Sequence, residues 1–281
     1  MIDLHTHSTR SDGTDTPAQL VSKAERAGLK VLSLTDHDTI AGFSEAKESL
    51  TSGMSLVLGS EMSCQTEDGI SVHMLGYLFD PTDKTLSEIL ATTRENRYAR
   101  MERIISRLNS AGIDITLDEV LAELSEGATL GRPHLADALV RKNIVKDREE
   151  AFAELLHNRS PYYVAHYSPT PEVAIKKIKD AGGVAVIAHP LASLRGRVIS
   201  VDSFSSYATA GLDGIEVSHR DHTPEQMEML EEIANSLSLL RTGSSDYHGN
   251  GKLNQLGEFT TDPEQWLALV DRAEGYEVVY K

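Results

Sequence analysis

The chain has one cysteine, Cys64, in 281 residues. An intramolecular disulfide and a cysteine-rich zinc site are both excluded, so any metal must be held by nitrogen and oxygen, as suits a reducing cytoplasm. No run of about 18 apolar residues occurs, and the start Met1-Ile2-Asp3-Leu4-His5 has neither the basic opening nor the apolar stretch of an export signal. Neither a membrane span nor secretion is expected, and the expected location is the cytoplasm. Positive charge is scarce too: 27 Lys and Arg stand against 43 Asp and Glu, a formal charge of −16. That argues against a broad duplex-binding surface but leaves room for a small cationic pocket. Aromatics are few, with five Phe, nine Tyr and one Trp, whereas histidines number 11.

The length suits one large α/β domain, or one carrying an insertion. β-Branched apolar runs at residues 2–7, 31–34, 56–61, 72–77, 184–188, 214–217 and 239–242 read as strands. Helix starts are marked by Thr16-Pro17, Thr170-Pro171 and Thr223-Pro224-Glu225-Gln226, the last joining an N1 proline to a capping box. Seven strands alternating with helices predict a (β/α)7 barrel over residues 1–80 and 169–281. Between residues 81 and 168 the strand signal stops, while helical periodicity runs through 86–108, 116–124, 134–140 and 149–156. This predicts an all-helical insertion, placed over the catalytic face because loops at the C-terminal strand ends build such sites.

His5 and His7 flank Thr6, and the two-residue period of a strand puts both imidazoles on one face. Asp12 follows in Ser11-Asp12-Gly13, His37 lies beyond the second strand, and Glu61 ends the third. His73 lies in the fourth, His189 closes the fifth, and Asp246 and His248 follow the seventh. Imidazoles and hard oxygens gathered at strand ends predict a multinuclear metal site.

These residues resemble the PHP (polymerase and histidinol phosphatase) phosphoesterases, whose fold is a distorted seven-stranded barrel. Within that family the chain is similar to the branch containing 3′,5′-nucleoside bisphosphate phosphatase and an exonuclease on short 5′-phosphorylated RNA. The branch features are Gly131-Arg132-Pro133-His134, the run from Ala181 through Ala188-His189-Pro190, and Gly211-Leu212-Asp213-Gly214-Ile215-Glu216-Val217. The resemblance implies three divalent ions. His5, His7, Glu61 and Asp246 would hold one; Glu61, His73 and His189 a second; Asp12, His37 and His248 a third, with Glu61 as the bridge. Manganese is the favoured metal, with iron or zinc as alternatives. Three divalent ions against three carboxylates leave about +3, or about +2 with a bridging hydroxide, which matches a phosphate monoester dianion.

Around this centre, Arg132 and His134 open a helix where backbone donors and a guanidinium can grip phosphate. Arg195 and Arg197 are placed for a second phosphate, and His222 for substrate contact. His219 is the candidate general acid for the leaving oxygen. Arg94, Arg97, Arg100, Arg103 and Arg107 form a helical stripe read mainly as a solvated face paired with Glu95 and Glu102. Asp36 and Asp38 are expected to orient imidazoles, Cys64 to be a small buried group, and His157 and His166 to be ordinary surface or core histidines.

The expected activity is hydrolysis of the 3′-phosphate of nucleoside 3′,5′-bisphosphates by a metal-bridging hydroxide. Exonucleolytic cleavage of short 5′-phosphorylated RNA and hydrolysis of histidinol phosphate are the enzymatic alternatives. A non-catalytic metal-binding module of nucleic-acid machinery is the alternative of another class. The expected partner is a small nucleotide or short oligonucleotide, with neither duplex nucleic acid nor membrane.

Overall fold

Seven strands follow one another in space in the order of the chain: Ile2–Asp3 (β1), Val31–Leu34 (β2), Ser55–Gln65 (β3), Ser71–Tyr77 (β4), Val184–Ala188 (β5), Gly214–Ser218 (β6) and Leu240–Gly243 (β7). The computed structural model describes residues 1–165 and 167–281, so His166 lies outside the described residues. Past the ends of β1 and β7 the barrel nearly closes through a bridge between Thr6 and Tyr247, where His7 N donates to Tyr247 O at 2.8 Å. The first strand is shorter than the expected 2–7: pairing stops at Asp3, and its carboxylate takes the backbone N–H of Ser245 and Gly257 instead. The barrel is also not all parallel. β4 runs antiparallel to both β3 and β5, and an eighth strand, Val279–Tyr280 (β8), pairs antiparallel with β3.

Alternation along the strands divides the core. Leu56, Leu58, Met74, Ala185, Ile187, Ile215 and Val217 face helices such as Pro17–Arg26 (α1), Phe43–Glu48 (α2) and, beyond the insertion, Pro171–Asp180. Val57, Leu75, Tyr77, Val184 and Val186 face inward with Ile2, Leu4 and Leu240. Successive side chains of a strand point to opposite faces, so each strand feeds both cores. Cys64 is buried in the outer one.

The insertion begins with Lys84–Ser110 (α3), capped by Asp83, whose side chain accepts from Leu86 N. Leu117–Leu121 (α4), Arg132–Arg141 (α5), Arg148–Ala151 (α6) and a π turn over Phe152–Leu156 follow. Met101, Ile104, Leu108, Val120, Leu135 and Leu139 close a third core of their own. The chain returns to the barrel at Pro171–Asp180 (α7), and the remaining helices are Ser203–Ala210 (α8), Pro224–Ser236 (α9) and Pro263–Asp271 (α10). Among the described residues no helix is long and apolar enough to cross a membrane.

The arginine stripe on α3 is a solvated face only in part, at the exposed Arg103 and Arg107. Arg97 and Arg100 are buried, Arg103 and Arg107 donate to carbonyls of Ala165, Pro161 and Tyr163, and Arg94 reaches Thr39. Among the described residues neither Glu95 nor Glu102 pairs with it. Packing of α3 against the chain that returns from the insertion overrides the local charge pattern.

Candidate metal centre

All nine candidate ligands meet in one cluster, Glu61 from within β3, His73 from within β4 and the others from beyond strand ends. His5 Nε2 and His7 Nε2 stand 3.1 Å apart, and Glu61 Oε2 lies 3.3 and 3.1 Å from them. Asp246 Oδ1 completes that group at 3.4 and 3.3 Å. The other oxygen of Glu61, Oε1, is 2.7 Å from His73 Nδ1 and 3.1 Å from His189 Nε2, so one carboxylate serves two sets of imidazoles. Asp12 gathers His7, His37 and His248, with His248 Nε2 at 3.2 Å from Oδ1. His37 also joins Glu61 and His73.

The backbone is unusual where these groups turn inward. His189 has φ 28° and Asp246 φ 51°, left-handed conformations that cost energy for residues other than glycine and gather at functional sites. His37 is set against Glu61 by an isolated parallel bridge.

Two observations show that the donor set fits divalent ions. His37 Nδ1 and His248 Nε2 are buried and make no hydrogen bond, although Glu61 Oε2 and Asp12 Oδ1 stand only 3.1 and 3.2 Å away. Nitrogen and carboxylate atoms this close without a hydrogen bond between them suit ligands gathered about a cation. Charge agrees with this. Burial would raise the Glu61 carboxyl, but His37, His73 and His5 hold it well below the usual carboxylate range. Asp246 is held down in the same way by Lys252, Arg195 and His248 against the effect of burial. Burial pushes His37 and His189 well down and His248 to about 4, favouring the neutral imidazoles that metals bind, whereas, against the effect of burial, Glu61, Glu216 and Asp246 hold His5 well above its ordinary value and Asp246 and Glu61 hold His7 at about 9.

Glu216 is a site residue that the sequence reading did not single out. It is buried and takes His5 Nδ1 at 3.0 Å and His189 N at 2.8 Å, fixing two ligands at once. The signal was present in the strand period: Ile215 and Val217 face the helices, so Glu216 between them faces the barrel interior. Lys252, on the glycine-rich loop after β7, was missed as well and reaches Asp246 Oδ2 at 2.9 Å.

Arg195 joins the centre through bonds of 2.6 Å to both Asp221 Oδ2 and Asp246 Oδ2. His219 is fully buried, and its Nε2 lies 3.5 Å from Asp246 Oδ2. Because Asp221 N donates to His219 Nδ1 at 3.0 Å, the ring proton belongs on Nε2, which makes no hydrogen bond of its own. Arg132 donates through Nη1 to Leu156 O and Asn158 Oδ1, and Asn158 Nδ2 donates to Arg195 O, linking the two arginines. His134 receives Gly131 N on Nδ1 at 3.0 Å.

Two expected contacts are placed otherwise. Arg197 is exposed and binds Asp68 O at 2.7 Å on the β3–β4 turn. His222 spends both ring nitrogens on backbone, Nδ1 on Val217 O and Nε2 on Leu191 N, leaving none for substrate. Among the described residues Asp36 and Asp38 do not touch imidazoles: Asp36 accepts from Ser8 and Ser11, and Asp38 from Ser63 and Arg97.

A family model described as PHP domain matches residues 3–158. The 3′,5′-nucleoside bisphosphate phosphatase of Chromobacterium violaceum is 33% identical over 252 residues, which cover 89% of this chain and 88% of that protein. A 5′-3′ exoribonuclease of Haemophilus influenzae is 36% identical over 251 residues, 88% of this chain and 89% of its own. A phosphoribosyl 1,2-cyclic phosphate 1,2-diphosphodiesterase of Eggerthella lenta is 34% identical over 265 residues, 91% of this chain and 97% of its own. A crystal structure from Bifidobacterium adolescentis, described as a metal-dependent phosphoesterase, superposes with a TM-score of 0.91 at 42% identity, covering 97% of this chain and 96% of that one.

Proposed function

The chain belongs to the PHP family, as a metal-dependent phosphoesterase, and from that premise we propose that it removes the 3′-phosphate of nucleoside 3′,5′-bisphosphates. The observation that carries this reading is the pair of cations on Asp246 Oδ2, Arg195 at 2.6 Å and Lys252 at 2.9 Å. One phosphate is already matched by the metals, and further cations in a chain of net charge −16 suit a second, non-reacting phosphate whose binding positions the first. The similar proteins named a bisphosphate phosphatase and an exoribonuclease support a nucleotide substrate.

In this reading His5, His7, Glu61 and Asp246 hold one ion, Glu61, His73 and His189 a second, and Asp12, His37 and His248 a third, with manganese the favoured metal. Divalent ions held there would supply Lewis acidity toward water and toward the phosphoryl oxygens. Glu216 keeps His5 and His189 turned toward them. Arg132 and His134 grip phosphate from the insertion side, and Arg195 and Lys252 from the other. His219 holds a proton on Nε2 for the leaving oxygen, the classical requirement being only reach and protonation state.

Phosphate release should be compared on a nucleoside 3′,5′-bisphosphate, the 3′-monophosphate, a 5′-phosphorylated trinucleotide and histidinol phosphate. The bisphosphate is expected to be hydrolysed at the 3′ position, far more efficiently than the 3′-monophosphate. Equal efficiency on those two would remove the second-phosphate reading, and preference for the trinucleotide would make the chain an exonuclease.

A further inference from the structure

Arg97 sits on the face of α3 that meets the barrel, 8% exposed. Its Nε and Nη2 both donate to Asp38 Oδ2, at 3.0 and 2.7 Å, and Nη2 also reaches Ser63 Oγ at 2.7 Å. Its Nη1 donates to Leu130 O at 3.2 Å. Each acceptor adjoins a residue of the centre. Asp38 follows the ligand His37, Ser63 lies two positions past Glu61 on β3, and Leu130 precedes the turn at residues 131–134 that carries Arg132 and His134.

The carboxylate under Arg97 is itself organised. Asp38 accepts from Ser63 N at 2.7 Å and Ser63 Oγ at 3.0 Å while holding φ 54°, a conformation that a non-glycine residue keeps only when its surroundings enforce it. One residue before Leu130, Thr129 N donates to Arg10 O at 2.9 Å, so the segment before the turn is pinned at two successive positions. A guanidinium presents its donors in a rigid plane and holds several acceptors in fixed relation, whereas an ammonium offers one point of attachment.

We propose that Arg97 is a positioning residue for the phosphoesterase reaction: it sets the distance between the phosphate-gripping turn at residues 131–134 and the metal ligands His37 and Glu61. Asp38, Ser63 and Leu130 are the three points it ties together. The inference rests on the reading that Arg132 and His134 contact substrate phosphate.

The test is steady-state kinetics of the metal-loaded full chain on a nucleoside 3′,5′-bisphosphate, with inorganic phosphate as competitive inhibitor. Arg97→Lys keeps a charge on Asp38 but cannot also hold Leu130 O. Loss of that hold should raise KM, and the inhibition constant for phosphate, by about tenfold, with kcat changed less than about threefold. Metal content should stay unchanged. The paired variant Asp38→Asn with Arg97→Gln removes both buried charges together and should show the same KM rise, which separates positioning from a folding defect. In an Arg132→Ala background, Arg97→Lys should add nothing further to KM. Unchanged KM and phosphate inhibition in Arg97→Lys, with only a lower melting temperature, would overturn the proposal. If Arg132→Ala alone left the kinetics untouched, the phosphate-gripping reading of the turn would fail, and this inference with it. If Arg132→Ala is impaired and Arg97→Lys is not, the turn reading survives and the positioning role of Arg97 does not.

Discussion

Arg195 Nη2 donates to Asp246 Oδ2 at 2.6 Å, while Oδ1 of the same carboxylate faces Nε2 of His5 and His7 at 3.4 and 3.3 Å. One oxygen of Asp246 thus belongs to the ligand set and the other to the Arg195 guanidinium. Arg195→Ala should lower kcat/KM by about ten- to a hundredfold, the size of a charge-assisted contact of about 1.5–3 kcal/mol. Metal content should persist, because Lys252 still reaches Oδ2 at 2.9 Å. Measured kinetics and metal analysis of the same preparation decide this; loss of metal in parallel with activity would make Arg195 a support for the ligand instead.

Activity should depend wholly on bound metal. Among the described residues, His37 Nδ1 and His248 Nε2 have no hydrogen-bond partner, so stripping the ions leaves them unsatisfied. Chelation should abolish phosphate release, lower the melting temperature because the ligand stabilises only the folded state, and be reversed by re-adding divalent metal. Asp246→Asn should fold and lose most turnover. Full activity in a preparation verified to be metal-free would refute the mechanism.

Glu216 gives a sharper test of ligand orientation. It accepts from His5 Nδ1 and His189 N, and partners of this kind are worth about 10- to 100-fold in metal affinity. Glu216→Gln should weaken metal binding by that factor in a titration followed by activity, with little change in the urea midpoint of the loaded protein. An unchanged affinity would reduce Glu216 to a packing residue.

The ligands were legible because their positions stand out at the ends of apolar runs, where a barrel places its site. Glu216 was hidden by the same rule: it sits mid-run among Ile215 and Val217, and only the inward parity of the strand marks it. The antiparallel direction of β4 could not be read, since alternation is the same whichever way a strand runs. β8, two residues long, carries too little pattern to register. Arg97 illustrates a different limit. A charged helical stripe looks alike whether it meets water or Asp38, and only the packing of α3 on the barrel settles which.

Alkaline stability follows from two buried phenols. Burial pushes Tyr77 well above its ordinary value, and Tyr77 donates to Leu4 O at 3.0 Å; burial also pushes Tyr207 up to about 12. The unfolded chain loses these protons from about pH 10 while the folded chain keeps them, so folded protein binds more protons. Their contribution is complete below about pH 10 and is lost as pH rises through the folded values. The urea midpoint should therefore fall between about pH 10 and 12, and Tyr207→Phe should flatten that fall. A midpoint flat to pH 12 in the unaltered protein would contradict this assignment.

The helical segment between β4 and β5, which we propose to be an insertion at residues 81–168, is best tested through its own core. Leu139 is fully buried in a cluster with Met101, Ile104, Leu108, Val120 and Leu135, none of which belongs to either barrel core. Leu139→Ala should cost about 2–5 kcal/mol through lost burial and the cavity left behind. With a core separate from the barrel, that cost should fall on α3, α4 and α5 while the nine ligands, all carried by the barrel strands and their loops, keep their metal. The expected result is faster proteolysis within residues 81–168 and a raised KM, because the turn at 131–134 loses its support, with metal stoichiometry unchanged. If metal content and the insertion were lost together in one cooperative transition, the barrel and the helical segment would be a single folding unit.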